Sequence, residues 1–472
     1  MKKFVKEITS MEEDFAKWYT DIVVKAELID YSEVRGCTIL RPYGFAIWEN
    51  ITKILDEQFK KVGVENISMP LLIPESLLQK EKEHIEGFAP EVAWVTMGGT
   101  EELSEKLCVR PTSEVLFCSH FARIVHSWRD LPKLYNQWCS VVRWEKTSRP
   151  FLRSVEFHWQ EGHTIHESSK EAKNFTLKML NIYSDFFEKI LCIPVILGRK
   201  TESEKFAGAE ETYTVECVMK DGKALQSATS HYFGNGFSKA FDIKFTNRKN
   251  LEENTYQTSW GLSTRVIAAI IMSHGDNDGL VLPPDIAPVQ VVIIPINFAN
   301  DNQVLEKSKE IFDSIGKIFR AKMDCSDQTP GWKFSNYDMK GVPIRVEIGP
   351  RDLEQNSCVI VRRDNRSKQK CDLNDLVPTI QKILEEIKRN MYDVCMKNRD
   401  KKTIISGCES DFQNFEGFIK IPFCETEECE KYLKEKYKFS ARCIPFGEHV
   451  ENLKCPICGK KSSNYVYFAK AY

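Results

Sequence analysis

Four cysteines near the end of the chain have the spacing of a metal site. Cys424 and Cys429 are separated by Glu-Thr-Glu-Glu, and Cys455-Pro-Ile-Cys458-Gly-Lys follows. A CPxCG knuckle turns the chain tightly enough for two thiolates to face one point, and a second pair completes four sulfurs at ~2.3 Å from zinc. Four protein ligands leave no open coordination position, so the ion expected is a structural Zn2+, not a catalytic one. Cys408 and Cys443 stand nearby as substitutes, but neither has a paired spacing. A second group is basic. Arg143 precedes Glu145, Arg153 follows, and Arg265 comes after Gly-Leu-Ser-Thr. Arginine forks converging on a sheet suit a polyphosphate, because each holds phosphate oxygens and neutralises charge as a phosphorus centre is attacked. Taken singly, an Arg–Glu pair on a strand is more often a surface ion pair. The sequence has neither a G-x-x-x-x-G-K-[ST] loop nor a G-x-G-x-x-G turn between strand and helix. A bound nucleotide would therefore not sit on a P-loop or Rossmann fold.

The elements that must hold these groups follow from periodicity. Residues 43–62 place Phe45, Trp48, Ile51, Leu55, Phe59 and Val62 on one helical stripe, ended by Gly63. A strand with Ile67, Met69 and Leu71 follows, interrupted by Pro70, which belongs at an edge or an interface. Residues 138–145 and 153–166 read as an antiparallel pair around a loop at 146–151, with Arg143 and Glu145 on the first strand and Arg153 opening the second. Further strands are expected at 212–219 and 241–246. A helix should follow Trp260-Gly261, with Ser263 or Thr264 near its start and the apolar run 266–272 inside it. The first ~280 residues thus read as α+β with a mainly antiparallel sheet. Three prolines within 279–288 mark a link. Beyond it lie an apolar run at 289–296, an amphipathic helix at 304–319, strands at 342–348 and 357–362, and a helix at 376–391. That alternation indicates a small α/β domain with a largely parallel sheet. The charged stretch 397–402 reads as a linker or helix end.

Composition sets the outer limits. A chain of 472 residues suggests about three domains. A hydrophobic fraction of 42% with 11% aromatics fills several cores and excludes disorder as the main state. With 66 basic against 68 acidic residues, binding of nucleic acid by bulk charge is excluded, while a local basic face is not. After MKKFV the acids of KEITSMEEDFAKW break up any apolar leader core. The longest apolar run falls far short of the ~20 residues that span a bilayer. Sixteen cysteines without a secretion signal point to reduced thiols and a metal site in a soluble, cytoplasmic protein.

Longer strings carry a resemblance. Arg110-Pro-Thr-Ser-Glu114, WCSVVRWE with the later FLRSVEFHWQEGH, and WGLSTR resemble the class II aminoacyl-tRNA synthetases. Residues 63–70 look like the motif 1 of that class, Arg143 and Glu145 lie in its motif 2, and Arg265 is its motif 3 arginine. More narrowly, KFAGAEETYTVE, ATSHYFGNGFSKAFDIKF, PGWKFSNYDMKGVPIRVEIGPRD and the ending VYFAKAY are similar to prolyl-tRNA synthetases of the archaeal/eukaryotic type. The resemblance covers nearly the whole chain. It implies an α+β architecture of three parts: an antiparallel-sheet catalytic domain over 1–281, an α/β anticodon-binding domain over 282–390, and a small zinc-binding α+β domain over 391–472.

It also implies a reaction and a site. Proline, ATP with Mg2+, and tRNA(Pro) are the expected substrates, the assembly is a homodimer, and neither DNA nor a membrane is an expected partner. Arg143 would hold the α-phosphate and the substrate carboxylate, Arg265 the β- and γ-phosphates, with Arg153 in support and Glu145 at the adenine amino group. Gln226, Thr229 and His231 match the strand beside the nucleotide and the reacting carboxylate. Thr112 and Glu114 match the residues that take the proline ammonium, and Trp159, Glu161, His163 and Phe206 those that wall its ring. Seen alone, Trp159 or Phe206 would be read as ordinary core. Lys333, Glu347, Arg351 and Asp352 could read guanine edges of the anticodon, since an arginine fork suits O6/N7 and a carboxylate accepts from N1 and N2. The chain departs from relatives at Ser227-Ala228 and Asn235-Gly236, where glycines and Gln-Asn are common. Only ~120 residues separate Arg143 from Arg265, too few for an inserted editing domain. Two other readings stand beside this one: an inactive paralogue that binds tRNA, and a class IIa ligase for histidine, threonine or serine.

Overall fold

The computed structural model describes residues 8–84, 91–296, 302–448 and 453–472. The opening MKKFV lies outside them. The expected first helix is Pro42–Lys61, entered through a proline whose missing N–H costs nothing at that position. It buries Ile47, Trp48, Ile51, Leu55 and Phe59, and Gly63 takes the left-handed conformation after it, at φ +87°. Phe45, expected on the buried stripe, is exposed and instead sets its ring edge-on to His158 at 5.8 Å. The strand expected around Pro70 does not form. Glu65–Asn66 and Leu72–Pro74 are strands of two different sheets. The chain between them is held from outside, with Ile67 N donating to Asn136 O (2.8 Å) and Met69 N to Gln137 Oε1 (3.0 Å).

Among the described residues the main sheet has eleven strands, from Glu65–Asn66 at one edge to Thr403–Ile405 at the other. Its centre is Val195–Arg199, Glu211–Val218, Ala224–Gly234, Tyr256–Ser263, Glu156–His166 and Lys133–Val142, all antiparallel. Glu65–Asn66 closes one edge in parallel. At the other edge Val195–Arg199 pairs with Ser440–Pro445, which leads to Asn464–Ala469, Phe418–Phe423 and Thr403–Ile405. The five central strands from Glu156–His166 to Tyr256–Ser263, with helix Ser169–Asp185, take up most of the span between Arg143 and Arg265. That helix packs one face of the sheet, shown by Ser230 Oγ donating to Thr176 O at 2.8 Å. Successive side chains alternate across a strand, so Thr229 and His231 face the other way.

Two expected strands are shorter than their hydrophobic pattern. The pair around the arginines stops at Val142 and resumes at Glu156, so Arg143 and Arg153 lie on the connecting loop and not on strands. One further ladder bond, Arg143 N to Val155 O at 2.8 Å, keeps Arg143 in register. The expected strand at 241–246 reduces to Lys244–Thr246, because Gly236–Ala240 is helical. The helix after Trp260-Gly261 is Arg265–His274, while Trp260 and Gly261 themselves belong to the last strand.

Among its described residues the α/β region holds five strands in the order Ala321–Met323, Val291–Pro295, Ile344–Ile348, Ser357–Arg362 and Lys368–Asp372. The first three are parallel and the last two antiparallel, so the sheet is mixed, not largely parallel. The loops entering the last two strands are too short for a crossover helix, which leaves only antiparallel pairing. The helix expected at 376–391 runs on to Lys401, so 397–402 is its final turn. Its buried series Ile380, Ile383, Ile387, Met391 and Cys395 keeps helical spacing to the end. Among the described residues no helix is long and apolar enough to cross a membrane.

Candidate active site

A cavity of about 280 Å³ opens on the sheet face opposite helix Ser169–Asp185. It gathers residues far apart in sequence: Thr112, Glu114, Arg143, Trp159, Glu161, His163, Phe206, Gln226, Thr229, His231 and Arg265. Glu145 and Arg153 do not line it. Both are exposed on the 143–155 loop, although the charge of Arg153 reaches Arg265. Lys200, Glu204, Thr212 and Ser259 line the cavity and escaped the sequence reading. Thr212 and Ser259 flank His231 on the neighbouring strands, a signal that only the strand register supplies.

Glu161 is the best-held group. Its Oε2 accepts from Ser113 N (3.0 Å) and Thr112 Oγ1 (3.3 Å) and meets His163 Nε2 at 3.0 Å, while Oε1 accepts from Gln137 Nε2 at 2.6 Å. Burial works against its charge, but His163, Ser113 and Gln137 outweigh it and hold the carboxyl at about 2. The His163 ring stacks on Phe117 at 4.2 Å. Glu114 accepts from Ser259 Oγ at 3.5 Å. His231 bridges the hydroxyls of Thr212 and Thr229, both at 3.0 Å. Burial, with His163 close by, pushes it down to about 3, so its imidazole is neutral.

The arginines are anchored through backbone carbonyls, with carboxylates near Arg143 acting on its charge from a distance. Arg143 donates from Nε to Pro111 O at 3.1 Å and lies over the rings of Phe157 (5.6 Å) and Trp159 (5.2 Å). Arg265 donates twice to Leu152 O (3.2 and 3.1 Å) and once to Gln226 O (3.4 Å). Burial and then the charges of Arg143 and Arg153 bring Arg265 down to about 10, still cationic at neutral pH. Three cations (Arg143, Lys200, Arg265), three carboxylates (Glu114, Glu161, Glu204) and apolar rings in one cleft suit a substrate that is anionic at one end and a compact ammonium at the other.

Three further groups lie away from the cavity. The Sγ atoms of Cys424, Cys429, Cys455 and Cys458 all fall within 4.8 Å of one another. Cys458 and Cys424 are 3.6 Å apart, close to the ~3.8 Å edge of a tetrahedron with ~2.3 Å zinc–sulfur bonds. The cluster can therefore hold a metal ion. The chain end is docked, not frayed. Tyr472 N donates to Ala224 O (3.1 Å), Ala224 N to Lys470 O (2.8 Å), and the Tyr472 hydroxyl to Asp221 Oδ2 (2.6 Å). Ala224 opens the strand that carries Gln226. Of the expected base readers, Arg351 is exposed. Asp352 Oδ2 accepts from Gly349 N at 2.9 Å, and Glu347 accepts from Arg345 Nε at 2.9 Å. Lys333 needs correction. It is 1% exposed, and its ammonium donates to Asp324 O (3.0 Å) and Ser326 O (2.8 Å), so it braces the domain from within and is not presented to a base.

Residues 94–274 match the family model of the tRNA synthetase class II core domain (G, H, P, S and T). Residues 290–383 match an anticodon binding domain, and 411–472 the prolyl-tRNA synthetase C-terminal domain. The chain is 58% identical to the proline–tRNA ligase of Ruminiclostridium cellulolyticum over 475 aligned positions, covering 100% of this chain and 99% of the relative. It is 57% identical to that of Lachnoclostridium phytofermentans and 56% to that of Clostridium botulinum (strain Kyoto / Type A2), at the same coverage. Identity above one half over the whole chain, together with a class II core and a prolyl-tRNA synthetase C-terminal domain, leads to one conclusion: this chain belongs to the proline–tRNA ligase family of class II aminoacyl-tRNA synthetases.

Proposed function

We propose that the chain joins L-proline to tRNA(Pro) in two steps. The proline carboxylate attacks the α-phosphate of ATP, giving prolyl-adenylate and pyrophosphate. The 3′-terminal ribose hydroxyl of the tRNA then attacks the prolyl carbonyl, breaking the mixed anhydride and releasing AMP. The observation that carries this reading is the cavity itself, which sets Arg143 and Arg265 against Thr112, Glu114 and Glu161. Arg143 clamps the α-phosphate and carboxylate, and Arg265 takes the β- and γ-phosphates, with Arg153 beside it. Mg2+, which the class requires with ATP, adds charge neutralisation there. Gln226, Thr229 and the neutral His231 line the nucleotide side, and Glu145 on its exposed loop meets the adenine amino group. A secondary ammonium donates two hydrogen bonds, which Thr112 and Glu114 accept, while Trp159, Glu161, His163 and Phe206 enclose the ring.

The division of labour is 1–281 for catalysis, 282–390 for the anticodon and 391–472 for a module held by Zn2+ on its four cysteines. Separate apolar cores in the second and third parts support it. The architecture is the archaeal/eukaryotic one, a label for domain content and not for source, since the relatives above are bacterial. It rests on the short span between Arg143 and Arg265 and on the C-terminal module. A homodimer is supported by Leu71, Leu72, Trp94 and Met97, which lie exposed on and beside the small sheet next to Pro70. A native mass that stays monomeric at micromolar concentration would refute it. The compartment is the cytoplasm.

Proline-dependent exchange of pyrophosphate into ATP tests the whole reading. Proline alone should support exchange. Exchange with histidine, threonine or serine would indicate a different ligase, and none at all an inactive paralogue. Arg351→Ala should keep exchange near wild type while weakening charging of tRNA(Pro), as expected if Arg351 and Glu347 touch guanine edges. Deleting Ala471 and Tyr472 should impair exchange without changing metal content, because it removes the bonds of Tyr472 to Ala224 O and Asp221 Oδ2. Charging at the wild-type rate by that truncated chain would show the docked tail to be dispensable.

A further inference from the structure

The loop at 200–206 hangs Lys200, Glu204 and Phe206 over one wall of the cavity. The C-terminal module grips it at several points. Just before the loop, Ile444 pairs with Arg199 and Pro445 with Gly198. A Cβ on Gly198 would lie 2.3 Å from Ile444 O, so this contact requires glycine. At the start of the loop, Arg442 forks onto Glu216, with Nε to Oε2 at 3.1 Å and Nη2 to Oε1 and Oε2 at 3.2 and 3.0 Å. Glu216 also accepts from Lys200 Nζ at 2.9 Å, and all three side chains are buried. In mid-loop, Glu430 Oε2 accepts from Thr201 Oγ1 at 3.1 Å and from Ser203 Oγ. Glu430 is 8% exposed and sits on helix Glu427–Tyr437, outside the catalytic fold.

We propose that Glu430 and Arg442 are positioning residues for the amino-acid side of the active site: they lock the 200–206 loop so that Phe206 stands over the bound proline ring. This rests on the reading of Phe206 as a wall of that pocket. The other ties of the loop sit at its two ends, where Lys200 N donates to Thr212 O (2.7 Å) and Phe206 N to Thr212 Oγ1 (3.0 Å), with the Phe206 ring against His231 at 4.9 Å. Between them only the C-terminal module takes the Thr201 and Ser203 hydroxyls to a carboxylate. The loop's own backbone bonds are turns such as Glu204 N to Thr201 O at 3.1 Å. A wall residue supplies binding that is equal in ground and transition states, so loosening it raises KM more than it lowers kcat. Arg143, Arg265, Gln226 and Thr229 stand on other elements, so ATP binding is spared.

The test compares variants in pyrophosphate exchange. Thr201→Val with Ser203→Ala removes the donors on the loop and leaves the C-terminal module whole; Glu430→Leu removes the acceptor. Both should raise the proline KM about tenfold or more, with kcat and the ATP KM within about threefold of wild type. Glu430→Gln keeps an acceptor oxygen and should restore the KM. If Glu430→Leu does not fold, the loop-side pair decides the matter alone. Phe206→Ala separates the two levels of the argument. A raised proline KM in Phe206→Ala with wild-type values in the loop pair would overturn the clamp alone. An unaltered KM in Phe206→Ala would overturn the pocket reading and the clamp with it.

Discussion

Arg143→Ala is expected to slow prolyl-adenylate formation by about 10²-fold or more, on the order of 3 kcal/mol of transition-state stabilisation. The size follows from how the guanidinium is held. Its Nε is committed to Pro111 O, and the rings of Phe157 and Trp159 shield one side. Burial disfavours its charge, against the pull of Glu114, Glu161 and Glu145. A cation in that state is desolvated before substrate arrives, so charge developing on the α-phosphate meets a fixed fork and not reorienting water. Arg143→Lys keeps the charge and loses the fork, and should recover only part of the rate. The measurement is proline-dependent exchange beside Arg351→Ala. Equal loss in both variants would show that the catalytic and anticodon regions do not divide the work as proposed.

Removing the metal should have an effect of another kind. Cys455 is buried, and its partners come from two separated segments joined at one point. Structural zinc in such shells contributes about 10–16 kcal/mol of apparent binding free energy in small peptides, which is folding free energy when no site exists in the unfolded chain. Cys455→Ser, or a strong chelator, should therefore release one ion per chain and open the C-terminal module before the rest. Cys429 and Glu430 are neighbours on one helical turn, so exchange should fall together with the metal content. Hydrogen exchange resolved along the chain would show early exposure of 418–469. A metal-free chain with native protection there and full activity would overturn the structural role of the cluster.

Local patterns were legible and long-range ones were not. Trp48, Ile51, Leu55 and Phe59 declare a helix because burial repeats with its period, and the zinc-type cysteines declare themselves because a knuckle is a local turn. Periodicity alone missed the strand Ala224–Gly234, since Gln226, Thr229 and His231 put polar groups where a packed strand would carry apolar ones. Those positions line the cavity, so the apolar pattern fails there; only the resemblance marked them as strand. Lys333 misled in the opposite direction. A lysine reads as exposed unless carbonyls from elsewhere converge on its ammonium, and Asp324 and Ser326 become its neighbours only through the fold. Lys200, Glu216 and Arg442 were silent for the same reason.

The junction of Ser440–Pro445 with Val195–Arg199 has a consequence for biosynthesis. A polypeptide leaves the ribosome from its N-terminus, so the catalytic sheet can assemble while its last neighbour is still being made. Until then Gly198 and Arg199 lack their partner strand and the edge there is open, a template for pairing with other chains. The wall of the active site is also ungripped, and the terminal tyrosine has yet to reach Ala224. A chain stalled before residue 440 should aggregate and remain inactive even though every catalytic side chain has been synthesised. Catalytic competence should thus wait on the segment from Ser440 to Tyr472, and a chain that stops short of it is expected to be inert and not a loosened, error-prone ligase.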